Sequence, residues 1–278
     1  MSAFVTRFAP SPTGYLHRGH AFSALSVQAA AREAGGRVLL RIEDIDTQRS
    51  RPAFEQAIYE DLAWLGFEWE TPVRRQSEHM ADYRAALDRL RADGLLYRCF
   101  RTRQEVLDEI ARAPHGPVEA FTGAALAPDQ EAARLAAGEP FAWRLSVAAA
   151  RRHLNGVWKK LTFTDLDEGV VAVHPEIAGD VVLARKDVGV AYHLASVVDD
   201  ALQGVTHVVR GLDLAQAPHT QRLLQALLGL PEPLYRHHRL ILGPDGKKFS
   251  KRDAAQSLRD IRASGVSAAD LRAELGFA

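Results

Sequence analysis

Two short stretches near opposite ends of the chain hold the residues best suited to chemistry. The first is Arg7-Phe-Ala-Pro-Ser-Pro-Thr-Gly-Tyr-Leu-His-Arg-Gly-His20. It reads as a strand, a tight turn and the start of a helix. Free N–H groups and the partial positive charge at a helix N-terminus attract phosphate. Gly14 allows the turn, and Gly19 lets a flat ligand approach the backbone. His17 and His20 lie one helical turn apart, so both imidazoles can face one side. Such a pair suits a polyphosphate and the charge that develops on it. Taken singly, each histidine is as readily an ordinary surface or capping residue. Zinc-binding helices carry His at i and i+4 with a carboxylate, and nothing here completes that set.

The second stretch is Gly243-Pro-Asp-Gly-Lys-Lys-Phe-Ser-Lys-Arg252. Lys248 and Lys251 flank Ser250 and could close on a polyphosphate, neutralising a departing pyrophosphate. A lysine-rich loop by itself is usually just solvated; the signal lies in having both stretches in one chain. From Arg236 to Arg262 there are eight Lys or Arg against three Asp, a local excess that suits phosphate contact. Over the whole chain 35 basic residues balance 35 acidic ones, which argues against a nonspecific polyanion binder.

The elements that must position these residues alternate. Val5 to Ala9 reads as a strand, Ala21 to Glu33 as a helix ended by Gly35-Gly36, and Val38 to Ile42 as a second strand. Ser50 with Pro52 starts a helix whose Phe54, Ile58, Leu62 and Leu65 share a face. Met80, Tyr83, Leu87 and Leu90 mark the next, and Thr102 with Glu105 reads as a capping box for a helix to about Ala113. Up to His174 the pattern loosens into strand-like pieces, Ala142 to Val147 and Val157 to Phe163. Alternation then returns, with strands at Val181 to Ala184, Val205 to Val209 and Leu240 to Leu242 and a helix at Gln221 to Leu228. Strands alternating with helices make this an α/β chain with a parallel sheet covered on both faces.

Composition sets outer limits. With 278 residues, 47% apolar and 25% charged, the chain is globular rather than disordered, collagenous or a disulfide scaffold. The longest stretch without Lys, Arg, Asp or Glu, Gly19 to Ala31, has 13 residues. A membrane span needs roughly 20, so no membrane association is expected. Arg7 interrupts the first apolar run, and no signal peptide is read there. The single cysteine, Cys99, excludes an internal disulfide and fits a reducing cytoplasm, the expected location.

His17-Arg-Gly-His20 resembles the nucleotide-binding signature of class I aminoacyl-tRNA synthetases, and Lys248-Phe-Ser-Lys-Arg252 resembles their lysine-rich signature. Four further blocks resemble the glutamyl-tRNA synthetase catalytic domain: Arg7 to Gly14, Leu40-Arg-Ile-Glu-Asp-Ile-Asp46, Ala191-Tyr-His-Leu-Ala-Ser-Val-Val-Asp-Asp200 and Thr206-His-Val-Val-Arg-Gly-Leu-Asp213. The resemblance spans most of residues 4 to 252 and is weakest in the middle. It implies a Rossmann-like class I synthetase domain with an inserted α+β subdomain. The expected division is 1–96 and 176–242 for the two Rossmann-like halves, 97–175 for the insert, and 243–278 for the signature loop with a short helical tail.

The resemblance also assigns residues. His17, Gly19, His20, Lys248, Ser250 and Lys251 would bind ATP, with His17, His20 and Lys251 acting on the phosphates. L-glutamate would lie against Arg7, Phe8, Ala9, Pro10, Ser11, Glu43, Tyr192 and Arg210. An anionic substrate side chain needs a fixed cation, and a guanidinium gives bidentate geometry, so Arg7 or Arg210 could supply it. Glu43 is a natural acceptor for the substrate ammonium, and Tyr192 offers a hydroxyl and an apolar wall. Without the resemblance, Glu43 reads as a solvated strand end, Arg210 as half of a surface ion pair and Tyr192 as packing.

Only 26 residues follow Arg252, too few for a helical anticodon-binding region. The expectation is therefore the stand-alone relative of these enzymes, the glutamyl-queuosine tRNA(Asp) synthetase family, which transfers glutamate to queuosine in the anticodon of tRNA(Asp). A fragment of a discriminating glutamyl-tRNA synthetase and a non-catalytic paralogue that binds tRNA or amino acid are the alternatives. Mg²⁺ is expected with ATP, and the chain is expected to be a monomer. Family members often carry zinc in the insert on Cys-x-Cys, a Tyr and a further Cys. Here Tyr97-Arg-Cys-Phe-Arg101 sets Arg101 in place of the second Cys, and His115 does not complete a set. No metal site, no zinc and a buried, inert Cys99 are expected. Arg18, inside the first signature, is expected to point outward.

Overall fold

The computed structural model of the chain describes residues 3–102, 104–107, 120–185, 189–241 and 256–277. The first part is a strand–helix alternation: β1 Val5–Phe8, α1 Arg18–Glu33, β2 Arg37–Ile42, α2 Pro52–Trp64, β3 Glu70–Arg75 and α3 Met80–Ala92. Strands β1, β2 and β3 form a parallel sheet in that order, with Val5 opposite Arg37 and Phe8 opposite Leu40. Gly36 is required where β2 begins, because a Cβ there would lie 2.5 Å from the Phe4 carbonyl oxygen.

After α3 come β4 Leu96–Cys99, α4 Pro128–Ala136, β5 Ala142–Leu145, α5 Val147–Leu154, β6 Thr162–Asp165, β7 Gly169–Ala172 and β8 Val182–Arg185. The chain continues through α6 Tyr192–Leu202, β9 His207–Gly211, α7 Ala217–Leu228, β10 Leu234–His238, α8 Leu258–Ala263 and α9 Ala268–Glu274. Strands β4, β5 and β8 make an antiparallel sheet. The third sheet runs β7-β6-β10-β9, with β10 parallel to both β9 and β6. Sheet pairing thus crosses residues 97 and 175: β6 and β7 join the sheet of β9, while β8 joins that of β4.

Thr206 links the parallel β1–β3 sheet to the mixed sheet of β9, in which β6 and β7 pair antiparallel. Its amide donates to the Val5 carbonyl at 2.9 Å, its hydroxyl accepts from the Val5 amide at 2.9 Å, and its carbonyl accepts from Leu234 at 2.9 Å. One apolar core lies between α3, α6, α7 and the sheet that carries Phe163, Val208 and Tyr235. A second gathers Phe8, Leu25, Leu40, Ile58 and Leu62 with Leu258, Ile261 and Leu271 of α8 and α9. The tail therefore closes onto the first half of the chain. No helix among the described residues is long and apolar enough to cross a membrane.

Several local expectations are corrected. Helix α1 begins at Arg18, because His17 and His20 cap it reciprocally. Helix α2 takes Arg51 as N-cap, and the Ser50 hydroxyl lies buried without a hydrogen-bond partner. The strand sought at Leu240 to Leu242 is instead β10 at Leu234–His238, fixed by its five-residue register with β9; Leu242 lies outside the described residues. Helix α6 was not legible, since its paired valines and aspartates are poor helix formers; burial of Leu194 through Asp200 holds it. The Thr102–Glu105 capping hydrogen bonds form, at 2.6 and 3.2 Å, while the end of the helix they start lies outside the described residues.

Candidate active site

A cleft of about 520 Å³ opens at the C-terminal ends of β1 and β9, over the start of α1. Ligands of open α/β sheets collect at strand C-termini of this kind. Arg7 and Phe8 reach it from β1, followed by Ala9, Pro10 and Ser11 in the next loop. His17, Gly19 and His20 line it from the start of α1, Glu43 from the end of β2, Tyr192 from the first turn of α6, and Arg210 from β9. Eleven of the fourteen expected site residues thus meet in one cavity. Lys248, Ser250 and Lys251 lie outside the described residues, as does His115.

The helix start is built by the two histidines themselves. His17 Nδ1 accepts the Gly19 amide at 3.1 Å, and His20 Nδ1 accepts the His17 amide at 3.1 Å. An accepting Nδ1 fixes the neutral tautomer, with hydrogen on Nε2 of each ring. A Cβ on Gly19 would stand 3.0 Å from His17 Cε1, so glycine here leaves room for the capping ring. Arg18 turns away from the cleft to Glu274, at 2.9 Å.

The two arginines differ in kind. Arg7 has a carboxylate partner, shared with Arg41: its Nε and Nη2 donate to Asp200 at 2.9 and 3.4 Å. Arg210 is 5% exposed and, among the described residues, has no carboxylate within salt-bridge distance. Its Nη1 donates to Gln221 Oε1 at 2.9 Å, its Nε donates to His237 Nε2 at 3.2 Å, and its buried Nη2 has no hydrogen-bond partner among the described residues. Burial pulls Arg210 below the ordinary arginine value. A buried cation with an unfilled donor is a demand for an anion.

Beneath the cleft lies a charge network that the sequence blocks contained but did not disclose. Arg41 is 0% exposed and donates to Asp200 at 2.7 Å and to Glu43 at 3.3 Å. Asp199 accepts from Arg74, Gln76 and Tyr83 at 2.7 to 2.9 Å. Burial pushes Asp200 up, but Arg7 and Arg41 override it and hold its carboxyl below the usual range. For Glu43 burial prevails over the nearby guanidiniums and raises it. The Glu43 amide donates to the Pro10 carbonyl at 3.1 Å, which ties the loop after β1 to the end of β2. Alternation of charge and apolar residues in Leu40-Arg-Ile-Glu43 was the available signal for Arg41.

Cys99 is buried among Tyr97, Val106 and Phe121, and the Arg101 guanidinium lies 5.6 Å from the Phe121 ring centre. Among the described residues no group of three or more His, Cys, Asp or Glu side chains could hold a metal ion.

Residues 3–275 match the family model for tRNA synthetases class I (E and Q), catalytic domain. The chain is 44% identical to a glutamyl-Q tRNA(Asp) synthetase of Rhodobacter capsulatus, over 98% of this chain and 100% of the relative. It is 43% identical to a protein of that name in Symbiobacterium thermophilum, over 94% of this chain and 82% of the relative. A solved glutamate tRNA ligase of Elizabethkingia meningosepticum, in complex with its amino acid, superposes with a TM-score of 0.73 at 29% identity. That match covers 91% of this chain and 52% of the ligase, about half its length. The chain belongs to the class I tRNA synthetase family of glutamate and glutamine enzymes, as a catalytic domain of that family.

Proposed function

We propose that this chain activates L-glutamate with ATP to glutamyl-adenylate, without needing tRNA for that step, and transfers the glutamyl group to queuosine in the anticodon of tRNA(Asp). The observation that carries the activation step is the Arg210 Nη2, without a partner among the described residues, in the cleft that also holds the His17–His20 helix start; the acceptor is supported by the similarity to the two glutamyl-Q tRNA(Asp) synthetases. Arg210 meets the substrate side-chain carboxylate, Glu43 accepts from its ammonium, and Tyr192 walls the site. Arg7, whose Nε and Nη2 are taken by Asp200, shapes the site.

In the first step the glutamate α-carboxylate attacks the α-phosphorus of ATP and pyrophosphate leaves. Such transfers depend on positioning and charge stabilisation more than on a strong base. The α1 N-terminus and the Nε2–H groups of His17 and His20 face the phosphates, with Gly19 giving the His17 ring room to cap the helix; Lys248, Ser250 and Lys251 close on the leaving pyrophosphate. Mg²⁺ accompanies the triphosphate. In the second step a hydroxyl of the modified nucleoside attacks the adenylate carbonyl and AMP leaves. A second cavity of about 490 Å³ shares Ser11, Glu43 and Tyr192 with the first and is flanked by Arg49, Arg144 and Arg185, a basic approach for the acceptor nucleotide. In this reading residues 1–96 and 176–242 carry the activation site, 97–175 and the basic segment from Arg236 meet RNA, and a single cytoplasmic copy suffices.

Glutamate-dependent ATP–pyrophosphate exchange without tRNA, followed by mass spectrometry of the glutamylated nucleoside, tests both steps. Exchange together with glutamylated queuosine supports the reading. Glutamate on the tRNA 3′ end would instead make the chain part of a glutamate–tRNA ligase, and no exchange at saturating substrates would leave a binding paralogue.

A further inference from the structure

Arg210 is oriented by a buried relay that reaches a different part of the chain. In the parallel β9–β10 register His237 stands opposite Arg210, and in the β10–β6 register Tyr235 stands opposite Asp165. These pairings set the three side chains in a row. Arg210 Nε lies 3.2 Å from His237 Nε2, and His237 Nδ1 lies 2.7 Å from Asp165 Oδ2. The other Asp165 oxygen accepts the amides of Asp167 and Glu168, at 2.9 and 3.2 Å, in the turn between β6 and β7. Asp165 and the His237 side chain are 4% and 6% exposed.

The protons follow from elementary chemistry. A guanidinium Nε always donates, so His237 Nε2 must accept. The neutral ring then carries its hydrogen on Nδ1 and gives it to Asp165. An aspartate placed directly on Arg210 would orient it but also offset its charge and fill the donors that an anionic substrate needs. An interposed neutral imidazole fixes the guanidinium plane and leaves the charge for the substrate.

We propose that His237 and Asp165 are positioning residues for Arg210: the imidazole transmits the orientation of the carboxylate to the guanidinium without neutralising it. The proposal rests on the reading of Arg210 as the cation that meets glutamate. It adds that a residue of the β6–β7 hairpin, far in sequence from both signature stretches, governs amino-acid affinity.

The test is glutamate-dependent ATP–pyrophosphate exchange on the full chain carrying H237F, H237Q, D165N or R210A. Asp165→Asn keeps its carbonyl oxygen on the two turn amides and turns an N–H₂ toward His237. That places hydrogen on Nε2, against Arg210. H237F and D165N are expected to raise KM for glutamate by about tenfold or more, with KM for ATP and kcat within about twofold of wild type. In H237Q the side-chain amide can accept from Arg210 and donate to Asp165, so its KM is expected to fall between wild type and H237F. Nitrogen-15 NMR of the His237 ring is expected to show hydrogen on Nδ1 in the wild type and on Nε2 in D165N. An unchanged glutamate KM in H237F and D165N, while R210A raises it, overturns the relay alone. So does a wild-type ring protonated on Nε2, or a parallel rise in both KM values. An unchanged glutamate KM in R210A removes the reading of Arg210 itself.

Discussion

His17 and His20 cap one helix together: each ring accepts a backbone amide through Nδ1, and the ring centres are 3.8 Å apart. A single pair of side chains thus has two duties, closing the N-terminus of α1 and presenting two Nε2–H groups above it. Substitution can separate them. Asparagine is a good N-cap, so His17→Asn is expected to keep the thermal midpoint near wild type while exchange falls on the order of 10²-fold. His17→Ala loses the cap as well and about 1 kcal/mol of stability. Exchange kinetics beside thermal melts check this; full exchange in His17→Asn would remove the ring from the chemistry.

The contrast between Arg7 and Arg210 predicts opposite phenotypes for one substitution. Arg7→Lys breaks a two-bond contact with buried Asp200, so the urea midpoint drops, with an expected loss of about 1–3 kcal/mol. Arg210→Lys loses the contacts to Gln221 and His237, and its main effect is a higher KM for glutamate. Equal effects of both variants on KM would contradict the assignment.

Lys251→Ala is expected to cut exchange on the order of 10²-fold while calorimetric glutamate affinity stays near wild type. A fall in affinity with unchanged turnover would move Lys251 off the pyrophosphate and onto the amino acid.

Buried Asp61 on α2 predicts a pH dependence. Among the described residues its Oδ2 has no hydrogen-bond partner, and burial pushes its pKa up to about 6 against the pull of Arg262. A folded value above the unfolded one gives stability that is complete below about pH 4 and lost as pH rises through about 6. Asp61→Asn is therefore expected to gain about 1–3 kcal/mol over wild type at pH 7.5 and nothing at pH 4. Urea unfolding of both proteins from pH 4 to 8 reads the difference. The depressed carboxyl of Asp200 works the other way: its contribution is complete above the ordinary aspartate value and fades as pH falls through its lower folded value. It is common to both proteins and cancels.

Cys99 lies in an apolar cluster with Tyr97 and Phe121. Cys99→Ala is expected to retain exchange within about twofold and to lose about 1 kcal/mol of stability. A zinc-selective chelator is expected to leave wild-type exchange unchanged. Inhibition that added zinc reverses would count against a zinc-free insert.

Residue order alone determined the alternation of strands and helices in the first half and the punctuated turn before α1 with His17, Gly19 and His20, whereas Glu43, Tyr192 and Arg210 were named only by the resemblance to known synthetases and brought together only by the fold. The alternation and the turn are local matters: turn residues, helix periodicity and motif spacing act over a few positions. Tertiary structure alone decided which arginine meets a carboxylate. Arg7 and Arg210 are the same residue type, and only the partners brought by α6, α7, β10 and β6 make one a carboxylate-bound strut and the other an unfilled donor. The same holds for Arg41, Asp165 and His237. Their roles depend on contacts between segments up to 159 residues apart in sequence, and these are set by strand register and by the packing of helices on whole sheets, which no short window of sequence records.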